Sequence, residues 1–400
     1  MKVAHRENVF LGYHFFPHYR KAIVDCLAKD QVWHFVFAAD LRDPTGGVKS
    51  MDLESLIAAG QFIRVPCYRL SKMLWQPAQT WAALRSKSHT WILLGFPHNV
   101  SVWVTGVLGR LLGKRVLFWG HGWIKPETGA RRFVRKTFLG IAHGLLLYGH
   151  SAKEIAIRMG AKPESLYVVY NSLDYDLQKS FRDLFTDDER QRRRAALFAH
   201  PERPLLVCPS RLTAVRDLPI GFRAMVRLRE EGLPCNLLLI GDGPLRNELE
   251  TMAKQLDLSV HFFGACYDEA ELASLISMAD VTIAPGQVGL TAIHGLSYGV
   301  PVVTHNDGES QMPEYEAIVD GWNGALFARG DVDDFAKAIR RAMSLTPTRA
   351  ETAARCYEPI DRFYNPNAQA AILDAAIRGL PADSSDWYGF RQQVKPVPCP

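Results

Sequence analysis

The chain has 400 residues, 48% of them hydrophobic and 22% charged, with a formal net charge of +5. That is the make-up of an ordinary globular protein of two or three domains, and the charge is too weak to argue for a nucleic-acid partner. Seven widely spaced cysteines, an odd number with no Cys-x-x-Cys pair, argue against a disulfide framework or a zinc site and for a reducing cytoplasm.

The N-terminal stretch lacks the long apolar segment of a signal peptide, and no stretch approaches the ~20 apolar residues that cross a bilayer. The expectation is a soluble cytoplasmic protein, or one held peripherally at the inner face of the membrane. In chain order, Val9 to Gly12 reads as a buried strand, with a loop carrying His14, His18 and Arg20 and then a helix from Lys21. Short apolar runs follow at Trp33 to Ala39, Gln61 to Val65, Thr90 to Gly95, Arg115 to Gly120, Gly144 to Gly149 and Leu166 to Tyr170. Helical stretches are predicted between them, among them Leu70 to Arg85 and Val100 to Leu112. Such alternation predicts a parallel sheet covered on both faces.

From Ser180 to Arg203 the composition turns highly charged, and the run Arg192 to Arg194 reads as a solvated face of a connecting helix. A second series then begins. Strands are predicted at Leu205 to Pro209, Asn236 to Gly241, Val260 to Gly264, Val281 to Pro285, Val302 to His305 and Ala325 to Ala328, again with helices between. The division is therefore 1–178, a linker 179–203, 204–346, and a C-terminal helix and tail 347–400 that is expected to pack back toward the first domain. Each half resembles a doubly wound nucleotide-binding sheet, whose ligand sits beyond the carboxyl ends of the strands.

The stretch Val281 to Thr304 runs strand, Gly-bearing loop, helix, Gly stop, strand. It aims the free N–H groups of the helix that starts near Leu290 at whatever lies above the strands, an arrangement suited to a phosphate. Arg211 and Arg216 follow the first strand of the same half; they form a clamp for a diphosphate or stand as solvent-facing charges. Gly241 and Gly243 mark a tight turn into a helix capped by Asp242, and Gly264 ends the next strand, where backbone groups can meet a base edge. In the first half, His121 sits between glycines at a strand end, next to Trp123, a position that presents an imidazole upward.

Taken as an ordered set, Ser210-Arg211-Leu212 with Arg216, the run Leu237 to Glu250, His261 to Gly264, Ala279 to Pro285 and Tyr298 to Thr304 resemble the retaining nucleotide-sugar glycosyltransferases, glycosyltransferase family 4-like, "glycosyl transferases group 1". Asn171 to Asp174 resembles the motif that closes that family's first domain. The resemblance implies the GT-B fold, α/β, with two Rossmann-like domains facing across a cleft. It implies a nucleotide-diphosphate-sugar donor, a glycan or lipid-linked hydroxyl acceptor, and no metal if arginines and a helix end stabilise the leaving group. Arg211 and Arg216 take the place of an Arg/Lys pair on the donor diphosphate, His121 that of a histidine near the donor sugar, and Gln287, Val288, Gly289 and Leu290, after Gly286, that of the loop whose N–H groups meet the phosphate and sugar. His14, His18, Arg20 and Trp123 are acceptor-side candidates.

The chain departs from the family pattern at its two signature glutamates, where Gly286 and His294 stand. His294 keeps a hydrogen-bonding ring for a ribose. The missing carboxylate is sought among Glu309, Glu314 and Glu316, of which Glu316 matches a family position and Glu309 is the freer choice. Two rivals follow from the departures: a nucleotide-sugar-binding protein that has lost catalysis, and a nucleotide-sugar epimerase on the same fold. A basic and apolar stretch, Ala130 to Lys136, is a candidate for contact with an anionic membrane.

Overall fold

The computed structural model describes residues 6–182 and 184–394, and the last six residues of the predicted tail lie outside them. The chain forms two compact units. The first runs to Asp174 and takes back Asn365–Asp386; the second comprises Tyr175–Tyr364 and the chain from Trp387 on. The stretch read as a linker belongs to the second unit, which it enters with helices Tyr175–Ser180 and Asp187–Leu197.

The first unit contains β1 (Glu7–Phe15), β2 (Trp33–Asp40), β3 (Phe62–Arg64), β4 (Tyr68–Leu70), β5 (Met73–Trp75), β6 (Thr90–Leu94), β7 (Arg115–Gly120), β8 (Gly144–Leu147) and β9 (Leu166–Val168). Seven of them form one sheet in the order β3-β2-β1-β6-β7-β8-β9, every pair parallel. Its strands are apolar on both sides because helices cover both faces, so one core holds Leu11, Ile92 and Leu117 and the other Phe10, Trp91 and Val116.

Helix Pro366–Arg378 belongs to this unit and is fastened to it. Leu373, Ala376 and Ile377 enter its core, Trp33 donates to Asp374 Oδ1 at 2.7 Å, and Arg115 donates to the Ala376 carbonyl at 2.7 Å. The long helix predicted over Leu70 to Arg85 is not formed. Ser71 takes the left-handed conformation (φ 54°), which turns β4 back on β5 as an antiparallel hairpin. Pro77 lies ahead of the helix that does form, Gln79–Arg85.

The second unit contains β10 (Leu205–Pro209), β11 (Asn236–Ile240), β12 (Ser259–Gly264), β13 (Val281–Ala284), β14 (Val302–His305) and β15 (Gly324–Phe327), in the order β12-β11-β10-β13-β14-β15 and again all parallel. The chain reaching β10 is anchored here too: Arg182 is buried, donates to Asp361 and to the Ser297 carbonyl, and stacks on Tyr357. The charged run of the preceding helix is less solvated than its composition suggests. Arg193 pairs with Glu271, and Arg194 pairs with Asp280 and caps the Met278 carbonyl.

Candidate functional site

In the second sheet the strand order reverses between β10 and β13, the place where doubly wound sheets open a crevice at their carboxyl ends. The chain leaving β10 supplies Ser210 and Arg211; the chain leaving β13 supplies Gly286 to Gly289. Arg211 is exposed there. The turn Ala214–Arg216 folds back onto the second loop, so that the N–H of Gly286 donates to the Arg216 carbonyl and that of Gln287 to the Val215 carbonyl, both at 3.0 Å. The Gln287 N–H, expected to meet a phosphate, is thus engaged within the protein, as is that of Val288, which donates to Gln311 Oε1.

Arg216 braces the same loop from its side chain. Its Nη1 donates to the carbonyls of Gln287 and Val288. Burial pulls the guanidinium pKa down, Cys208 and Glu314 pull the other way, and Arg211 adds to the lowering. Of the three downstream glutamates considered, Glu314 is thus the one whose charge reaches Arg216. Glu309 is exposed in the turn Gly308–Ser310, and Glu316 is buried, with its carbonyl accepting from Arg391.

Gln311 is a member of the site that the sequence did not point to. Its Oε1 accepts from the Val288 N–H at 2.9 Å, while Nε2 donates to Thr304 Oγ1 at 2.8 Å and to the His305 carbonyl at 3.1 Å. One buried amide thereby satisfies backbone groups of two strand-end loops. Gly289 (φ 51°) starts helix Leu290–Ser297, and Thr291 donates to the Pro209 carbonyl at 2.8 Å, tying that helix to the end of β10.

His294, on the same helix, lies with Nδ1 3.8 Å from Glu269 Oε1. That oxygen accepts hydrogen bonds from Tyr298 Oη at 2.5 Å and Gln178 Nε2 at 2.8 Å. Glu269 is a second residue that sequence reasoning missed: it is the first residue of a helix after β12, far along the chain from the signature positions.

Gly241 and Gly243 have a packing reason. A Cβ on Gly241 would lie 2.0 Å from the Ser210 carbonyl oxygen, and one on Gly243 would lie 2.4 Å from that of Leu212. The loops after β10 and β11 interlock backbone to backbone, with Leu212 N–H donating to the Asp242 carbonyl at 3.1 Å. Asp242 does not cap the next helix as predicted; its Oδ1 accepts from Gly243, and the helix begins at Arg246. Gly264 (φ 93°) ends β12 and bridges Gly241.

The first sheet reverses between β1 and β6. His14 is at the end of β1, Arg20 ends the turn that follows, and His121 follows β7. Both imidazoles are held neutral: burial pushes the pKa of each down to about 4, with the Arg20 charge acting in the same direction and Asp43 partly opposing it at His14. His18 is exposed, its Nδ1 3.2 Å from the Lys49 carbonyl oxygen. Trp123 is not available to an acceptor. It is 3% exposed and packed in the core with Phe138 and Leu147, because Gly122 (φ 61°) turns the chain inward after His121.

Among the described residues no three His, Cys, Asp or Glu side chains are grouped to hold a metal ion, and no helix is long and apolar enough to cross a membrane. A hollow of about 330 Å³ lined by Phe185, Arg190, Arg193 and Ser274 is formed by other elements than the strand ends and lacks their chemistry.

Residues 189–358 match the model of the family "Glycosyl transferases group 1". A curated relative, the GDP-mannose-dependent alpha-(1-6)-phosphatidylinositol dimannoside mannosyltransferase of Mycobacterium tuberculosis, is 31% identical over 161 residues, 40% of this chain and 39% of the relative. Glycogen synthase of Edwardsiella ictaluri is 32% identical over 157 residues, 37% of this chain and 33% of that enzyme. The matches to these curated relatives span less than two fifths of the relatives' own length. Among solved structures, Anabaena HepE in complex with UDP superposes with a TM-score of 0.66 at 16% identity, covering 92% of this chain and 99% of HepE. A glycosyltransferase from Rickettsia africae gives 0.70 at 14% identity, covering 94% of this chain and 99% of the other. The two parallel sheets are those of the GT-B fold.

Proposed function

We propose, given that this chain belongs through residues 189–358 to the glycosyl transferases group 1, that it transfers a sugar from a nucleotide-diphosphate-sugar donor to a hydroxyl acceptor with retention at the anomeric carbon. The observation that carries this reading is the pair Arg211 and Arg216 at the strand-order reversal of the second sheet, inside the segment that the family model matches. In the reaction the bond from the anomeric carbon to the β-phosphate oxygen breaks, and the acceptor oxygen bonds to that carbon on the same face. The acceptor's proton passes to the departing phosphate. Negative charge grows on the diphosphate, so fixed positive charge lowers the barrier. Arg211 supplies an exposed guanidinium. Arg216 supplies a buried one, and also holds the loop from which helix Leu290–Ser297 starts.

The donor half is the second unit, and the acceptor is assigned to the first, where His121 offers a neutral imidazole. Two names bear on the base: a neighbouring structure holds UDP, and a relative uses GDP-mannose. Melting the full chain with UDP, GDP and their sugars, then measuring nucleotide release with acceptor present, tests the reading. Stabilisation by one base followed by multiple turnovers supports it; the absence of both sinks it.

One observation favours a second reading, binding without transfer. The first signature glutamate is replaced by Gly286, where no side chain fits: a Cβ would lie 2.3 Å from the Val215 carbonyl oxygen. Stabilisation by a nucleotide sugar with no turnover on any acceptor selects that reading. For the acceptor we infer a lipid-linked or glycan hydroxyl met at the cytoplasmic face of a membrane. Helix Gly129–Leu139 exposes Phe133 (72%) and Val134 (48%) beside Arg131 and Arg132. Flotation with anionic vesicles is expected to carry the protein, and a chain left wholly unbound removes this part.

A further inference from the structure

Arg20 is 5% exposed. Its guanidinium carbon lies 4.8 Å from the ring centroid of Tyr13, 4.7 Å from that of Trp119 and 5.3 Å from that of Tyr148. The two tyrosine hydroxyls bond each other at 3.0 Å, which fixes two walls of this cage. Among the described residues no carboxylate pairs with Arg20 and no acceptor takes a hydrogen bond from its guanidinium. Other half-buried arginines of the unit are treated differently. Arg135 pairs with Glu127 and donates to the Gly122 carbonyl, and Arg115 donates to the Ala376 carbonyl.

A buried charge is costly unless it is paired, and aromatic faces offset only part of that cost. The rings hold the guanidinium in place and leave its five N–H donors without an acceptor. The surroundings do not supply the missing charge: His14 and His121 are neutral, and Asp43 is committed to Thr45 and to the N–H groups of Gly47 and Val48. Arg20 also stands in the loop after β1, beside the strand-order reversal of the first sheet, where such sheets receive ligands.

We propose that the caged guanidinium of Arg20 is an oxyanion-binding site, taking the paired oxygens of a carboxylate or phosphate on a substrate of this chain. Only the source of the anion rests on the transferase reading, which offers two: an acidic or phosphorylated acceptor, or the donor diphosphate.

The test is binding to the full chain, wild type against Arg20→Gln and Arg20→Lys, by calorimetry and melting temperature. The probes are inorganic phosphate, glucuronate, glucose as the neutral control, UDP and GDP. An acceptor source is supported if phosphate or glucuronate binds the wild type, weakens at least tenfold in Arg20→Gln, partly recovers in Arg20→Lys, and UDP or GDP binding is unchanged. A tenfold loss confined to UDP or GDP supports the site with the donor as source. Equal binding of every probe to wild type and Arg20→Gln overturns the proposal, as does a wild type that neither phosphate, glucuronate, UDP nor GDP stabilises. If Arg20→Gln does not fold, the Nε resonance of Arg20 in ¹⁵N-arginine-labelled wild type decides. Movement on adding phosphate, glucuronate, UDP or GDP supports the site; a stationary signal overturns it. Failure of this site leaves nucleotide binding intact, whereas failure of the transferase reading removes it from the wild type itself.

Discussion

Gly286 and Val215 are in backbone contact so close that a single added methyl group on Gly286 would come within 2.3 Å of the Val215 carbonyl oxygen and 2.7 Å of the Arg216 carbonyl carbon. At this position, read from the sequence as that of a family glutamate, the turn Ala214–Arg216 occupies the side-chain space. Reinstating a glutamate cannot restore the family arrangement unless that turn moves. Gly286→Ala is expected to destabilise the second unit by about 2 kcal/mol and Gly286→Glu by more, with weaker nucleotide binding in both. A Gly286→Glu chain with an unchanged melting temperature and faster turnover would show that the turn yields.

Arg216 both braces a loop and carries charge, while Arg211 is an exposed charge at the end of β10. Arg216→Ala should lower turnover by roughly 100-fold. Arg216→Lys should recover part of the charge effect but not the two carbonyl contacts. Arg211→Ala should lower turnover by roughly tenfold. Steady-state kinetics on the three variants separates these roles, and full turnover in Arg211→Ala would remove it from the leaving-group assignment.

Gln311→Leu keeps the volume and deletes the amide. The Val288 N–H, the Thr304 hydroxyl and the His305 carbonyl would each lose a buried partner. The expected cost is about 3 kcal/mol, read by urea melts, with nucleotide affinity falling in parallel because the Gly286 to Gly289 loop loosens. Gln311→Glu retains an acceptor for Val288 but loses both donors, and should be equally poor.

The two buried imidazoles predict a pH profile. His14 and His121 have pKa values of about 4 in the folded chain, against 6.5 ordinarily. Below pH 6.5 the unfolded chain binds protons that the folded chain refuses, so their contribution to stability is whole above that pH and falls as pH drops toward 4. Together they set an upper figure of about 7 kcal/mol for the loss. His121→Gln should flatten part of the decline in melting temperature between pH 6.5 and 4. An unaltered profile in that variant would mean the ring is already protonated in the folded state.

The leaving-group charge is assigned to side chains alone, so dialysis against EDTA is expected to leave turnover unchanged. A loss restored by magnesium or manganese would move part of that charge to an ion.

The alternation of apolar runs and helices made both sheets legible, since a strand buried on two faces must be apolar throughout. Arg211 and Arg216 were legible as residues that follow a strand, because the apolar run of β10 announces where that strand ends. The site was not legible where several distant segments converge. The cage around Arg20 draws on β1, β7 and the residue after β8, and nothing in the local sequence of any one of them announces the others. Gln311 and Glu269 are ordinary polar residues whose importance comes from what they touch. Trp123 was misjudged because a glycine that frees a histidine also steers the next side chain inward. The hairpin β4–β5 was misjudged because a left-handed serine is a choice of the tertiary fold that composition does not record.

The return of Asn365–Asp386 to the first unit bears on how the protein is made. Ribosomes deliver the chain from its N-terminus, yet the first unit lacks Leu373, Ala376 and Ile377 until synthesis has passed the whole second sheet. The second sheet, ending at Phe327, is complete well before that. The later-encoded half can therefore mature first, while the earlier half waits with Leu27 and Phe35 of its core incompletely covered. A nascent chain halted before residue 365 should display a sticky, chaperone-bound first half beside a second one whose sheet is already complete.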